Sequence, residues 1–131
     1  MIDVATHQAW VDKVGYFTVA EGPSTLRLVP RSPPSYPEPP FFMQVSDNWV
    51  LLSMLPMLAH GAYNAEDLGR RLLMANREMR LAKFALGPEG AVVLCAELPT
   101  ESLDASEVAD AVTRMAQYAR RFHQEFVKRP K

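Results

Sequence analysis

The chain has 131 residues, 48% of them hydrophobic, and 14 Lys and Arg stand against 15 Asp and Glu for a formal net charge of -1. That length suits one domain, 1–131, with a sizeable core, and the near-neutral balance gives no bulk attraction to nucleic acid or to an acidic membrane surface. A single cysteine, Cys95, excludes an internal disulfide framework and any multi-cysteine zinc site, and fits a reducing, cytoplasmic setting. Met1–Trp10 carries Asp3, Thr6, His7 and Gln8 where a signal peptide needs a basic start and an unbroken apolar run. The most apolar stretch, 49–59, contains Ser53 and Pro56 and falls short of the roughly 20 apolar residues that cross a bilayer.

In chain order, Trp10, Val14 and Phe17 recur at helical spacing and predict a first helix over 3–17, with His7 and Val11 on its flanks. Glu21, Gly22 and Pro23 break the pattern. Leu26 and Leu28 then alternate with Thr25 and Arg27 as in a half-buried strand over 24–29. Six prolines between Pro30 and Pro40 exclude helix and central strand; this segment reads as a stiff connector or as a ligand for a proline-reading domain. Strands over 41–46 and 49–55 flank Asp47 and Asn48, residues that tolerate the positive φ of a type I′ turn. The two-residue hairpin puts Phe41, Met43 and Val45 opposite Met54, Leu52 and Val50 on one apolar face. The other face pairs Phe42 with Ser53, Gln44 with Leu51 and Ser46 with Trp49.

Asn64 suits the cap of a second helix with Glu66 and Asp67 in its first turn and a stripe of Leu68, Leu72, Ala75 and Met79. Leu73 and Met74 fall off that stripe and require another surface. Strands over 80–86 and 91–98 are joined through Gly87, Pro88, Glu89 and Gly90, with Leu86, Phe84 and Ala82 facing Val92, Leu94 and Ala96. Asp104 and Glu107 have capping-box spacing at the start of a helix that runs to about Lys128. Its stripe is Val108, Ala111, Val112, Met115, Ala119, Phe122 and Phe126.

The order αβββαββα, an α+β arrangement of antiparallel sheet against helices, resembles the type III secretion chaperone-like fold and in particular the YbjN-like family of bacterial sensory transduction regulators. The resemblance covers nearly the whole chain. It is strongest from Leu68 onward, in the helix with Leu72, Leu73 and Asn76, the strand 81–86, the turn 87–90, the strand beginning Ala91-Val92-Val93-Leu94, then Glu97-Leu98-Pro99, Leu103 and the final helix. It implies a non-enzymatic domain that dimerises and binds an extended or partly unfolded protein segment. The proline-rich loop and the lack of marked acidity depart from the secretion chaperones and place secretion itself in question.

No catalytic group is legible. His7, His60 and His123 are far apart and outside zinc-ligand spacings, and there is no G-x-S-x-G, P-loop or G-x-G-x-x-G. Neither metal nor cofactor is expected. Cys95 beside Lys83 reads as a structural thiol, and the basic cluster Arg70, Arg71, Arg77, Arg80 and Lys83 as a solvated face interspersed with acids. Phe42, Trp49 and Leu51 are the candidates for contact with a protein client, unless the last helix or the proline loop covers them. Leu73 and Met74 are candidates for a homodimer interface, against scattered surface exposure. The competing reading is a small-ligand binder or enzyme whose site gathers Lys83, Cys95 and a histidine.

Overall fold

The computed structural model describes residues 4–58, 65–87 and 90–125, and side chains at 56–58, 65 and 66 lie outside that description. Its elements are α1 (Val4–Asp12), β1 (Tyr16–Ala20), β2 (Thr25–Pro30), β3 (Phe41–Val45), β4 (Trp49–Leu58), α2 (Ala65–Glu78), β5 (Ala82–Leu86), β6 (Val92–Pro99) and α3 (Ala105–His123). Six antiparallel strands form one sheet in the order β1-β2-β3-β4-β6-β5. This is the α+β arrangement of antiparallel sheet against helices anticipated from the sequence.

Both hairpin registers match the pattern that the sequence carries. Phe41, Met43 and Val45 pair with Met54, Leu52 and Val50, and Leu86, Phe84 and Ala82 pair with Val92, Leu94 and Ala96. Each strand presents apolar side chains at every second position, and a slip by one residue would turn all of them to water. These side chains, except Leu86, which is 74% exposed at the end of β5, form the buried face with Leu26, Leu28 and Leu98. α3 lies across it and contributes Val108, Ala111, Val112, Met115, Ala119 and Phe122; α1 packs beside α3, and α2 beside β5 with Leu68, Leu72, Ala75 and Met79 inward. Asp104 caps α3 by accepting from the Glu107 N–H at 2.9 Å and from the Ser106 hydroxyl at 2.8 Å, which holds its carboxyl below the usual carboxylate range.

The first helix is shorter than its periodicity suggests. It ends at Asp12; Gly15 takes a φ of 95°, and Tyr16–Ala20 enters the sheet as a strand paired with β2. A left-handed glycine breaks the helix, and Tyr-Phe-Thr-Val is a run of strand formers whose alternation outweighs the coincidental spacing of Phe17 from Val14. The buried side chains of α1 are consequently His7 and Val11, while Phe17 turns to solvent. The element order is therefore αββββαββα. Two turns also differ from expectation. Neither Asp47 nor Asn48 takes a positive φ, because the Ser46 hydroxyl accepts the Trp49 N–H and donates to the Trp49 carbonyl, which closes the loop without a type I′ turn. Strand β5 starts at Ala82 because Leu81 itself has a φ of 73°. Gly90 has the expected positive φ, while Asn64, Pro88, Glu89 and Phe126 lie outside the described residues.

The proline-rich segment returns along the helical side of the sheet. Tyr16 donates to both carboxylate oxygens of Glu38 at 3.1 and 3.3 Å, and the Tyr36 ring sits 5.0 Å from that of His123 on α3. Burial pushes the Tyr36 phenol up to about 12, and the nearby Glu38 charge adds to the effect. Burial likewise raises the Glu38 carboxyl, against the opposing hydrogen bond from Tyr16. A carboxyl raised on folding favours the folded state at acidic pH, and that contribution is lost as pH rises through its folded value. Glu38→Gln keeps an acceptor for Tyr16 and removes the buried charge. Its urea midpoint is expected to exceed the wild type's at neutral pH, with the gap closing toward about pH 4. A gap independent of pH would contradict this assignment.

Candidate functional site

Three helices and the proline segment occupy one side of the sheet; the opposite face is left without a layer of its own among the described residues. On that face no described side chain is buried, although the other face is packed along β2, β3, β4 and β6 and at Tyr16, Ala82 and Phe84 of the edge strands. The register builds it in rows. One row crosses the whole sheet as Val19, Arg27, Phe42, Ser53, Cys95 and Lys83. The next runs Thr25, Gln44, Leu51 and Glu97, and beyond it Trp49 sits opposite Pro99. On the other side of the long row, Phe17 pairs with Val29.

Phe42, Trp49 and Leu51 share this face. Trp49 is 50% exposed and Phe42 and Leu51 are half-buried, so neither α3 nor the proline segment encloses them. They form a diagonal rather than a cluster, since Leu51 separates Phe42 from Trp49 by one row each way. The residues that sequence reasoning missed are Phe17, 52% exposed, and Val19, 50% exposed. Their signal was the alternation after Gly15, which a helical reading of 3–17 conceals. Together with Val29 and Leu55 they extend the apolar surface to the edge of the sheet. Arg31 lies over the Phe17 ring at 4.4 Å and is paired with Asp12, while Arg27 stands 6.0 Å from the Phe42 centroid.

The two edges of the sheet are unequal. In β5 the outward peptide of Phe84 is saturated by Asn76 of α2, whose carboxamide accepts from the Phe84 N–H at 2.7 Å and donates to its carbonyl at 3.2 Å. A side chain thus occupies the groups that a further strand would use. At β1 the bonds Glu21 N–H to Thr25 carbonyl and Arg31 N–H to Gly15 carbonyl set the ladder, so Phe17 and Val19 bond to β2 while Tyr16, Thr18 and Ala20 point outward. The outward amide groups of Thr18 have no partner among the described residues.

A second apolar exposure lies on α2, where Leu73 is 72% and Met74 59% exposed. Beside it a cavity of about 420 Å³ is lined by Arg71, Met74, Ala75, Arg77, Glu78, Phe122 and Glu125. Its acids are engaged by Arg121, which reaches Glu78 at 3.5 Å and Glu125 at 3.4 Å.

The gathering that a catalytic reading requires does not form among the described residues. Lys83 and Cys95 are cross-strand neighbours, but the thiol faces the Lys83 carbonyl at 3.7 Å and burial raises its pKa, the reverse of what activates a nucleophile. His7 is buried in α1 and His123 lies at the end of α3, both on the helical side, and His60 is outside the described residues. No group of three or more metal-ligating side chains is present among the described residues, and no helix there is long and apolar enough to cross a membrane.

A family profile described as "T3SS (YopN, CesT) and YbjN peptide-binding chaperone 1" matches residues 38–131. Among solved structures, a chain of the heterodimeric ExoU–SpcU complex from the type III secretion system of Pseudomonas aeruginosa superposes with a TM-score of 0.57 at 21% identity, covering 90% of this chain and 92% of that one. A likeness at TM-score 0.47 and 11% identity, covering 87% and 97%, is found to the Yersinia pestis type III secretion chaperone SycH in complex with a fragment of YscM2. The first of these shows the fold. No curated protein sequence matches the chain.

Proposed function

The chain belongs to this family of T3SS and YbjN peptide-binding chaperones, and from that premise we propose that it holds an extended segment of a protein client on the uncovered face of its sheet, without performing a reaction on it. The observation that carries this reading is a sheet with one face packed along its central strands and the other bearing half-buried and exposed apolar side chains from those same strands. Exposed apolar surface of this kind is covered when a partner binds. An extended peptide meets such a surface most economically as an added strand, with main-chain hydrogen bonds for affinity and alternate side chains for selectivity. The edge of β1, unpaired among the described residues, supplies those hydrogen bonds, whereas Asn76 denies them at β5.

In this proposal one stretch of the client adds to the β1 edge beside Phe17 and Val19, and the chain beyond it turns over the outer face onto Phe42, Leu51 and Trp49, which lie three and four strand spacings inward. Leu73 and Met74 meet a second copy, since α2 lies on the far side of β5 from the proposed client edge and both surfaces are usable at once. The protein works in the cytoplasm as a homodimer.

The test of the dimer is sedimentation equilibrium at micromolar concentration. Wild-type protein is expected to run as a dimer and Leu73→Asp as a monomer whose own unfolding free energy changes by less than about 1 kcal/mol, as for other exposed positions. A wild-type monomer would sink the α2 interface. The test of the client surface is a change in fluorescence of the exposed Trp49 on addition of extended peptides, lost in Thr18→Pro, which deletes an outward N–H that the folded sheet does not use.

A further inference from the structure

The outer face carries few cations, and all but one are already matched, while Glu21, in register with Thr25 just beyond Val19, adds an exposed acid with no ion-pair partner among the described residues. Arg31 is paired with Asp12, and Lys83 with Glu97 at 3.8 Å. Arg27 is the exception: it is exposed, and no carboxylate partners it among the described residues. Its row neighbours are Val19 on the edge side and Phe42 on the inner side, and its guanidinium stands 6.0 Å from the Phe42 ring centroid. An exposed arginine between two apolar side chains is a cation displayed on a surface that otherwise selects for hydrophobic groups.

We propose that Arg27 sets the sequence preference of the client: an extended segment with apolar side chains at alternate positions and one glutamate among them, placed in the Val19–Arg27 row. The inference rests on the peptide-binding reading of this face and adds the chemistry of the peptide to it.

Strand spacing fixes the geometry. A strand added at the β1 edge lies one spacing from β1 and two from β2, about 10 Å from the Arg27 backbone. The Arg27 side chain, turned from its place by Phe42 to reach outward over Val19, and a glutamate reaching inward span that gap between them. The shorter aspartate does so poorly. Val19 bonds to β2, so its row falls at a non-hydrogen-bonded position of the new antiparallel pair, where side chains lie closest. The positions two residues before and after the glutamate share its face. They lie in the rows of Phe17, with its partner Val29, and of Glu21, with its partner Thr25; the first takes an apolar side chain and the second, beside the Glu21 carboxylate, an uncharged polar or basic one. A guanidinium offers a carboxylate paired N–H donors in fixed geometry, which a lysine at this position would not.

The experiment is a display selection from a random twelve-residue peptide library against the whole protein, followed by fluorescence titration of a selected peptide and its Glu→Gln and Glu→Lys versions. The expected binders carry a glutamate with an apolar residue two positions away on the Phe17 side, with about tenfold weaker binding of the lysine version, because the swap turns attraction into repulsion at a partly exposed pair. Arg27→Glu is expected to invert the preference toward lysine, and Arg27→Gln to erase it. Binders whose affinity ignores that charge, or that Arg27→Glu selects equally well, would overturn the inference and leave the open-face reading standing. A library that yields no binder to the wild-type protein would remove both. Arg27 is exposed, so its variants are expected to unfold at the wild-type urea concentration, which separates lost binding from lost structure.

Discussion

Phe41→Ala is expected to lower the free energy of unfolding by about 3–5 kcal/mol, while Phe42→Ala, one residue along the same strand, costs less than about 1 kcal/mol. Phe41 is enclosed between Leu28 and Met54 in the register, with its ring edge-on to Tyr16 at 5.5 Å between centroids. Truncation there leaves a cavity inside a core that cannot collapse onto it. Phe42 points the other way, onto a face where no side chain is buried. The contrast matters because typical domains of this size have only about 5–15 kcal/mol in total. Urea unfolding with unchanged slope is the measurement. Equal losses at the two positions would mean that both faces of β3 are covered, and the proposed client surface would not exist.

The second large effect concerns binding rather than folding. Trp49→Asp combined with Leu51→Asp is expected to weaken peptide binding on the order of 100-fold, since each removes an apolar contact worth about 1–2 kcal/mol at an interface centre and desolvates a new charge. The folded state loses little, because Trp49 is half exposed and Leu51 half-buried on the solvent side of β4. An isotopically labelled or dye-labelled peptide reads this where the tryptophan itself is absent. Retained affinity in a folded double variant would move the client elsewhere, with the α2 surface around Leu73 and Met74 as the next place to look.

How far the sequence alone reaches is visible element by element. Registers of both hairpins follow from alternation and loop length, and α3 from its stripe and the Asp104 cap, because local pattern and tertiary demand agree there. The exposure of Leu73 and Met74 was legible for the same reason: their angle from the stripe of α2 is fixed by helix geometry. β1 was concealed because Trp10, Val14 and Phe17 satisfy a helical spacing that runs through Gly15, and with it went two of the five proposed client contacts, Phe17 and Val19. The blocked edge at β5 was not accessible at all. It depends on Asn76 meeting the Phe84 peptide across a change of element, which no local pattern encodes. The same is true of the strap that Tyr16, Glu38, Tyr36 and His123 form from the proline-rich segment.

The central claim is that an extended segment joins the sheet at β1 and lies on its uncovered face. Amide hydrogen exchange of the whole protein, with and without a selected peptide, tests it most directly. The account predicts new protection at Thr18 and Ala20, whose N–H groups point out of the sheet, with the β5 amides unchanged. Protection confined to α2 or the end of α3, with Thr18 exchanging as fast as in the free protein, would contradict it.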